Sequence, residues 1–369
     1  MANVLLRSPY HISEDIGSDL SAKLEITIDG TLQYTIVKNK TSSSDYVLFE
    51  ISELVRDYVD ITYNGNINDS DLNVVVSYVL SIYPEINAGG TATSSSTTTF
   101  FGIDGYGYFE DGSNPSVTQG YMQSNDTIYT LYGEDLRIPV DVNNTTSVTY
   151  LYKGSQIYTK AISASSTEVF EYIDATDSFK ERVIEDGGTY EESSCINSFL
   201  QNNDLYLVDK VVILTPSETK IVDVITLDEC KYEPKKVSFI NRWGALQDLW
   251  FFKKSVESMN VEKESYKSNI LGYDGAYSTS NHVNRDFNVV GKESVTLSSG
   301  FLDEEYNKVF KEMMLSEKVW ITNVTEDGEQ VLPINVKTGD ITYKTSLNDK
   351  LVQYTIEFDK SFDTINNIR

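Results

Sequence analysis

The chain has 369 residues, 40% of them hydrophobic, with 56 acidic against 30 basic side chains and a net charge of −26. That composition supplies a buried core and enough length for two or three domains. The negative field repels phosphate backbones and argues against direct nucleic-acid binding.

The N-terminal stretch MANVLLRSPYHISED holds a three-residue apolar run before an Arg and a Pro, too short for a signal-peptide core. No apolar run approaches the about 18 residues that span a bilayer. Synthesis in a cytoplasm without membrane insertion is the expectation. Leu24, Ile26 and Ile28 alternate with polar residues, Asp29-Gly30 follows, and Leu32, Tyr34 and Ile36 alternate again, which predicts a hairpin. Val47, Phe49 and Ile51 read as a further strand. SELVRDYVD (52–60) changes period, placing Leu54, Val55, Tyr58 and Val59 on one helical face with Ser52 as N-cap. LNVVVSYVLSIY (72–83) predicts a long strand paired with FFGIDGYGYF (100–109), the Gly/Ser/Thr-rich 84–99 forming an open hairpin loop.

A second β-rich stretch follows. LRIPVDV (136–142) predicts a strand. Hairpins are expected at 148–162, turning at Lys-Gly-Ser, and at 206–227, turning at Pro-Ser-Glu-Thr; the acidic 174–204 between them reads as an insertion. From Pro234 onward, VSFIN and LWFFKKSVESMNVEK read as strands joined by RWGALQD. The spacing of Leu302, Tyr306, Val309, Phe310, Met313 and Met314 predicts a helix over 303–315, with Asp303, Glu304 and Glu305 in its first turn. Four closing strands, at KVWIT, LPINV, DITYK and LVQYTIEF, are the sheet that this helix is expected to cover. The fold class is mainly β: about three β-sandwich or Ig-like modules in series, at 1–115, 116–233 and 234–369, the last carrying the helix.

Signals for chemistry are sparse. The two histidines, His11 and His282, come without a G-x-S-x-G elbow, and the carboxylate pairs fall in polar loops rather than in the apolar settings that tune a catalytic acid. GIDGYGYFEDG (102–112) lacks dinucleotide-binding spacing. DGSNPS and INDSDLN are Asp-containing loops short of an EF-hand pattern, and solvated turns are the expectation there. Cys195 and Cys230 stand 35 residues apart without zinc spacing, which favours free thiols. The reading therefore calls for no catalytic residue, no metal and no cofactor.

The densest aromatic cluster is FINRWGALQDLWFFKKS (239–255). Adjacent residues of a strand point to opposite faces, so Trp250, Phe251 and Phe252 offer aromatics to both. Trp and Arg anchor interfaces. The cluster predicts Phe251 in the core and Arg242, Trp243, Trp250 and Phe252 at a subunit contact.

RWGALQDLWFFKKSVESMNVEKESYKSNI (242–270) resembles a stretch of tail-region virion proteins of tailed bacteriophages, those of Bacteroidetes and crAss-like phages in particular. VLFEISELVRDYVD (47–60) and GIDGYGYFEDG resemble the N-terminal module of the same proteins, and residues 332–361 resemble their closing hairpin. Together these strings cover about a third of the chain; 174–204 has no counterpart. The resemblance implies a non-enzymatic ring, collar or hub component of the virion tail, built in many copies and contacting neighbouring tail or neck proteins. A receptor- or glycan-binding adhesin is the alternative, and a polysaccharide-degrading enzyme the third class.

Overall fold

A computed structural model describes residues 2–41, 44–65, 69–131, 136–174, 208–227, 231–325, 328–342 and 351–365. Cys195, Cys230 and residues 175–204 lie outside them, as do residues 343 and 344 of the strand expected at 341–344. The fold is mainly β. It divides into two compact units: unit 1 holds 1–228 with 238–249 and 305–316, and unit 2 holds 229–237, 250–304 and 317–369.

Unit 1 begins with β1 (Ala2–Leu5), β2 (His11–Asp15), β3 (Ser21–Ile28), β4 (Thr31–Asn39), β5 (Tyr46–Glu50), a short helix α1 (Ser52–Arg56), β6 (Asn73–Tyr83), β7 (Ser94–Ile103) and β8 (Ser116–Val117). Six of these strands form one sheet in the order β4-β3-β6-β7-β1-β8, and β2 pairs with β5. The expected hairpin is β3–β4, and its turn has φ of 46° at Asp29 and 79° at Gly30. That left-handed pair matches the strand twist, which is why Asp-Gly marks the site. The alternation of β3 buries Leu24 and Ile26 completely. β4 is the sheet's edge, and Leu32 stays 55% exposed.

Two local expectations are corrected. Ser52 is not the N-cap of α1; Ile51 holds that position, and the Ser52 hydroxyl donates to Glu50 instead. The open loop is shorter than 84–99, because Ser94–Thr99 already pair with Ser77–Ile82. Serine and threonine are tolerated there because that end of β7 is exposed.

The rest of unit 1 contains β9 (Thr127–Leu131), β10 (Arg137–Asp141), β11 (Ser147–Tyr152), β12 (Ser155–Ala161), β13 (Phe170–Asp174), β14 (Lys210–Leu214) and β15 (Thr219–Leu227). A five-stranded sheet runs β12-β11-β14-β15-β9, and β10 pairs with β13. Ile138, Val140 and Val142 share one core with Val148, Tyr150, Val211, Ile213 and Val222, so the two sheets enclose a sandwich-like interior. Both expected hairpins form, β11–β12 turning at Lys153-Gly154 and β14–β15 at 215–218.

The remaining elements are β16 (Lys235–Ile240), β17 (Leu246–Phe251), β18 (Val256–Lys267), β19 (Asn284–Ser298), β20 (Leu302–Asp303), α2 (Tyr306–Met314), β21 (Val319–Thr325), β22 (Gly328–Val336), β23 (Leu351–Val352) and β24 (Thr355–Lys360). A seven-stranded sheet runs β17-β16-β21-β22-β24-β19-β18. In unit 2, Val295, Leu297, Ile356 and Phe358 are buried on one of its faces, and Phe251 meets Phe358 edge-on at 6.0 Å.

The reading of 234–369 as a single module differs from this division. The turn segment 238–249 and the helix segment 305–316 belong to unit 1. The helix starts three residues later than its charge pattern predicts, because Leu302 and Asp303 pair with Val352 and Leu351. Its buried stripe is Tyr306, Val309, Phe310 and Met313, as the spacing requires, with Glu312 among them. Its hydrogen-bonding partners described below come from unit 1 rather than from the sheet expected beneath it.

Candidate functional site

Two regions stand out once side chains are placed. The first is an arm in unit 2. β18 and β19 form a long antiparallel hairpin, and from Val256 to Val289 every residue except Ser268 and Ile270 is exposed. Apolar side chains lie along its whole length: Met259 is 59% exposed, Val261 46%, Tyr266 49% and Phe287 41%. At the tip, Leu271 is 60% exposed, Tyr277 63%, and Tyr273 stands fully in solvent. Residues 268–283 carry one formal charge, Asp274. A two-stranded hairpin alone in water is marginally stable.

The arm is stiffened locally. Tyr266 and Phe287 pack edge-to-face at 5.6 Å, and Lys263 pairs with Asp286 at 2.7 Å. The register shifts between Glu262 and Glu264, where β19 contributes two residues against one. Asn288 takes a φ of 48° there, so the bulge lies in the inner strand and leaves β18 regular.

The second region is the segment 238–249 with its surroundings in unit 1. Asn241 is fully buried and organises the turn. Its side-chain oxygen accepts from the amides of Trp243 and Ala245, and its amide nitrogen donates to the Met122 carbonyl at 2.7 Å. The Tyr106 amide donates to the Arg242 carbonyl at 2.7 Å. This backbone approach explains two glycines: a Cβ at Gly105 would lie 2.5 Å from the Arg242 oxygen, and Gly244 has a φ of 77° with its missing Cβ 3.2 Å from the Gly105 nitrogen. Arg242 pairs with Asp111 at 2.7 Å and stacks over Tyr108 at 4.4 Å and Trp243 at 5.1 Å. Lys311 of α2 also stands 3.8 Å from the Tyr108 ring centre, so one aromatic ring serves two cations.

α2 is tied into unit 1 at both ends. Glu305 accepts from the amides of Asp126 and Thr127, and Arg7 donates to the Leu315 carbonyl at 2.8 Å. Midway, Glu312 is fully buried and accepts from the Ser124 hydroxyl. Burial pushes its carboxyl up to about 7, against the opposing pull of Ser124 and Arg242. Tyr106, whose hydroxyl is buried nearby, is held well above the ordinary phenol range, chiefly by desolvation.

The structure corrects the aromatic-cluster expectation. Trp243 is 9% exposed, Trp250 7% and Phe252 3%, and Arg242 is half-buried with its guanidinium engaged. Their surface is spent inside the chain, leaving little for a second subunit. Phe251 is fully buried, as expected. The reason lies in polar complementarity. Asn241, together with Gln247 bonded to Asn125 at 3.0 Å, satisfies the backbone at a bend that aromatic residues alone would leave open. The arm and Glu312 were missed. Glu312 stands three residues from Val309 on the apolar stripe, and that spacing was the available signal.

Among the described residues no group of three or more His, Cys, Asp or Glu side chains is placed to hold a metal. In the DGSNPS loop, Asp111 binds Arg242 and the Tyr108 amide, and Asn114 brackets the His11 backbone with two hydrogen bonds. Residues 67 and 68 of INDSDLN lie outside the described set. No described helix is long and apolar enough to cross a membrane.

No protein-family model matches the chain, and no curated protein matches it. Among solved structures it is similar to the Drosophila OTK extracellular domains 3-5, with 9% identity over 80% of this chain and 88% of that chain, and a TM-score of 0.19. A superposition that loose carries no argument about fold or function.

Proposed function

We propose that this chain is a non-enzymatic structural subunit of a bacteriophage tail, assembled in multiple copies as a ring, collar or hub component. The observation that carries the reading is the β18–β19 arm, thirty-odd residues of hairpin exposed on both faces in the single chain. Such an arm contributes little to the fold that bears it. It gains stability when covered, which is the physics of a part made to be joined to others. The resemblance of 242–270 to tail-region virion proteins falls across the base and first strand of this same arm. The acidic surface agrees with contacts to protein rather than to packaged nucleic acid.

A second reading, a receptor- or glycan-binding adhesin, draws on the arm's tip. Tyr273, Tyr277 and Leu271 among Ser, Asn and Gly residues make an adaptable, nearly uncharged contact surface. Antibody raised against the purified chain is expected to label the tails of virions released by the encoding phage at many copies per particle. Unlabelled virions overturn the subunit reading. Labelled virions together with host-cell binding by the free chain, lost in a Tyr273→Ser, Tyr277→Ser variant, would favour the adhesin.

A further inference from the structure

The arm leaves one strand edge free. β18 is terminal in the seven-stranded sheet, runs twelve residues without proline, and is exposed throughout. The bulge that twists the hairpin sits on β19, so the outer edge of β18 remains regular. A regular exposed edge is a template for another strand unless like charges or proline block it. Here the charges are of mixed sign: Glu257, Glu262, Lys263, Glu264 and Lys267.

We propose that β18 pairs antiparallel with β18 of a second copy of this chain, about a two-fold axis at Asn260. A two-fold axis normal to a sheet returns each face to itself, so facing residues share parity and one residue on the axis fixes the register. An axis at Glu262 or Glu264 sets that carboxylate against its own copy, and an axis at Lys263 sets Glu262 against Glu264. Like charges directly opposite are unfavourable. With the axis at Asn260, Glu257 faces Lys263 and Met259 faces Val261, each pair occurring twice. An axis at Met259 or Val261 brings no Glu opposite a Lys. The chosen register therefore combines the Glu–Lys and Met–Val pairs, with Ser258 facing Glu262 and Val256 facing Glu264 at its margins. Lys263, 55% exposed beside Asp286, is free to serve both carboxylates.

The faces also agree. Glu257 is opposite Val295 and Met259 is opposite Glu293 within the hairpin, so Met259 and Val261 lie on the face that buries Val295 and Leu297. Pairing at this register joins two seven-stranded sheets into one and extends the apolar layer of each across the axis. The paired segment, Val256–Glu264, spans roughly 30 Å at about 3.4 Å per residue. That is a small contact beside the about 800 Å² per partner of a standard interface, and it suits a joint that is reinforced when many copies assemble.

This deepens the subunit reading by naming the arm's partner, and the two fail separately. In the full chain, with Cys195→Ser and Cys230→Ser removing the native thiols, Asn260→Cys is expected to give a disulfide-linked dimer under mild oxidation, because facing Cα atoms in an antiparallel pair lie within disulfide reach. Glu262→Cys is expected to link poorly. By sedimentation velocity, Glu257→Lys or Lys263→Glu alone should weaken dimerisation about tenfold, and the double reversal should restore it. Efficient linking through Glu262→Cys, or singles and double that behave alike, overturns the register. Absence of any dimer in the parent chain, with no linking through Asn260→Cys, overturns self-pairing and assigns the arm to a different protein. Virion labelling could still succeed in that case, leaving the subunit reading intact.

Discussion

Residues 238–249 and residues 256–289 are neighbours in sequence and opposites in environment. Only Arg242 and Asp248 are not buried in the first, whereas only Ser268 and Ile270 are not exposed in the second. Both contain aromatic and branched residues, so apolar content does not separate them. What differs is how each deals with its backbone and its charges. The first has a buried Asn and Gln that bind the bend and its surroundings, and a glycine, Gly244, that admits a second backbone at Gly105. The second alternates Glu, Lys and Tyr, whose heads need water or a partner of opposite charge. A buried hairpin is recognised by its uncharged polar residues more than by its tryptophans.

The contrast breaks most readily at the buried side. Phe251→Ala is expected to cost about 3–5 kcal/mol, and Trp243→Ala a loss in the same range, measured by chemical denaturation. A Trp243→Ala chain of unchanged stability would return that side chain to the surface role its sequence suggests.

Next comes Glu312. Its carboxyl is held at about 7 in the folded chain against an ordinary 4.5. Below pH 4.5 both states are protonated and the group costs nothing. Between 4.5 and 7 the folded state holds a proton that the unfolded state has lost, so stability falls as pH rises, and above 7 the cost is complete. At about 1.36 kcal/mol per pH unit the full cost is about 3 kcal/mol. Glu312→Gln, which keeps an acceptor for Ser124, is expected to leave stability unchanged at pH 4 and raise it by about that amount at pH 8. Parallel pH profiles for the parent and the variant would mean that the carboxyl is solvated.

A smaller effect is expected at Gly105→Ala, where the new methyl meets the Arg242 carbonyl at 2.5 Å and Leu5 at 2.6 Å. Overpacking of this kind costs about 1–3 kcal/mol, read as a lowered denaturation midpoint. The smallest belongs to the arm. Tyr273→Ser with Tyr277→Ser should change stability by less than about 0.5 kcal/mol. A larger loss would show that the tip supports its own fold.

The Asp29-Gly30 hairpin, the alternation of β3 and the stripe of α2 were legible because each depends on local periodicity and turn chemistry alone. The limits of α2 were not, since Leu302 and Asp303 are claimed by a strand about fifty residues further on. The destination of 238–249 was equally hidden. Its burial depends on Gly105 and Met122, more than a hundred residues earlier, and nothing within the seventeen-residue window states that pairing. The arm shows the converse: Val256, Met259, Val261 and Tyr266 follow neither a period of two nor of 3.6, and a strand without a periodic apolar face is one that its own chain does not cover.

The interrupted layout of unit 1 bears on the order of events during synthesis. Its penultimate segment ends at Leu249 and its last at Ser316, with residues 250–304 of the other unit between them. At roughly 5–20 residues per second the ribosome needs about 3–11 s to cover that gap. During that interval the seat of α2 beside Ser124, Asp126 and Tyr108 stays open on the nascent chain. A chain released before residue 305 never closes it. Completion of unit 1 is thereby tied to translation through residue 316, so products terminated before that point emerge visibly unfinished and are candidates for proteolysis.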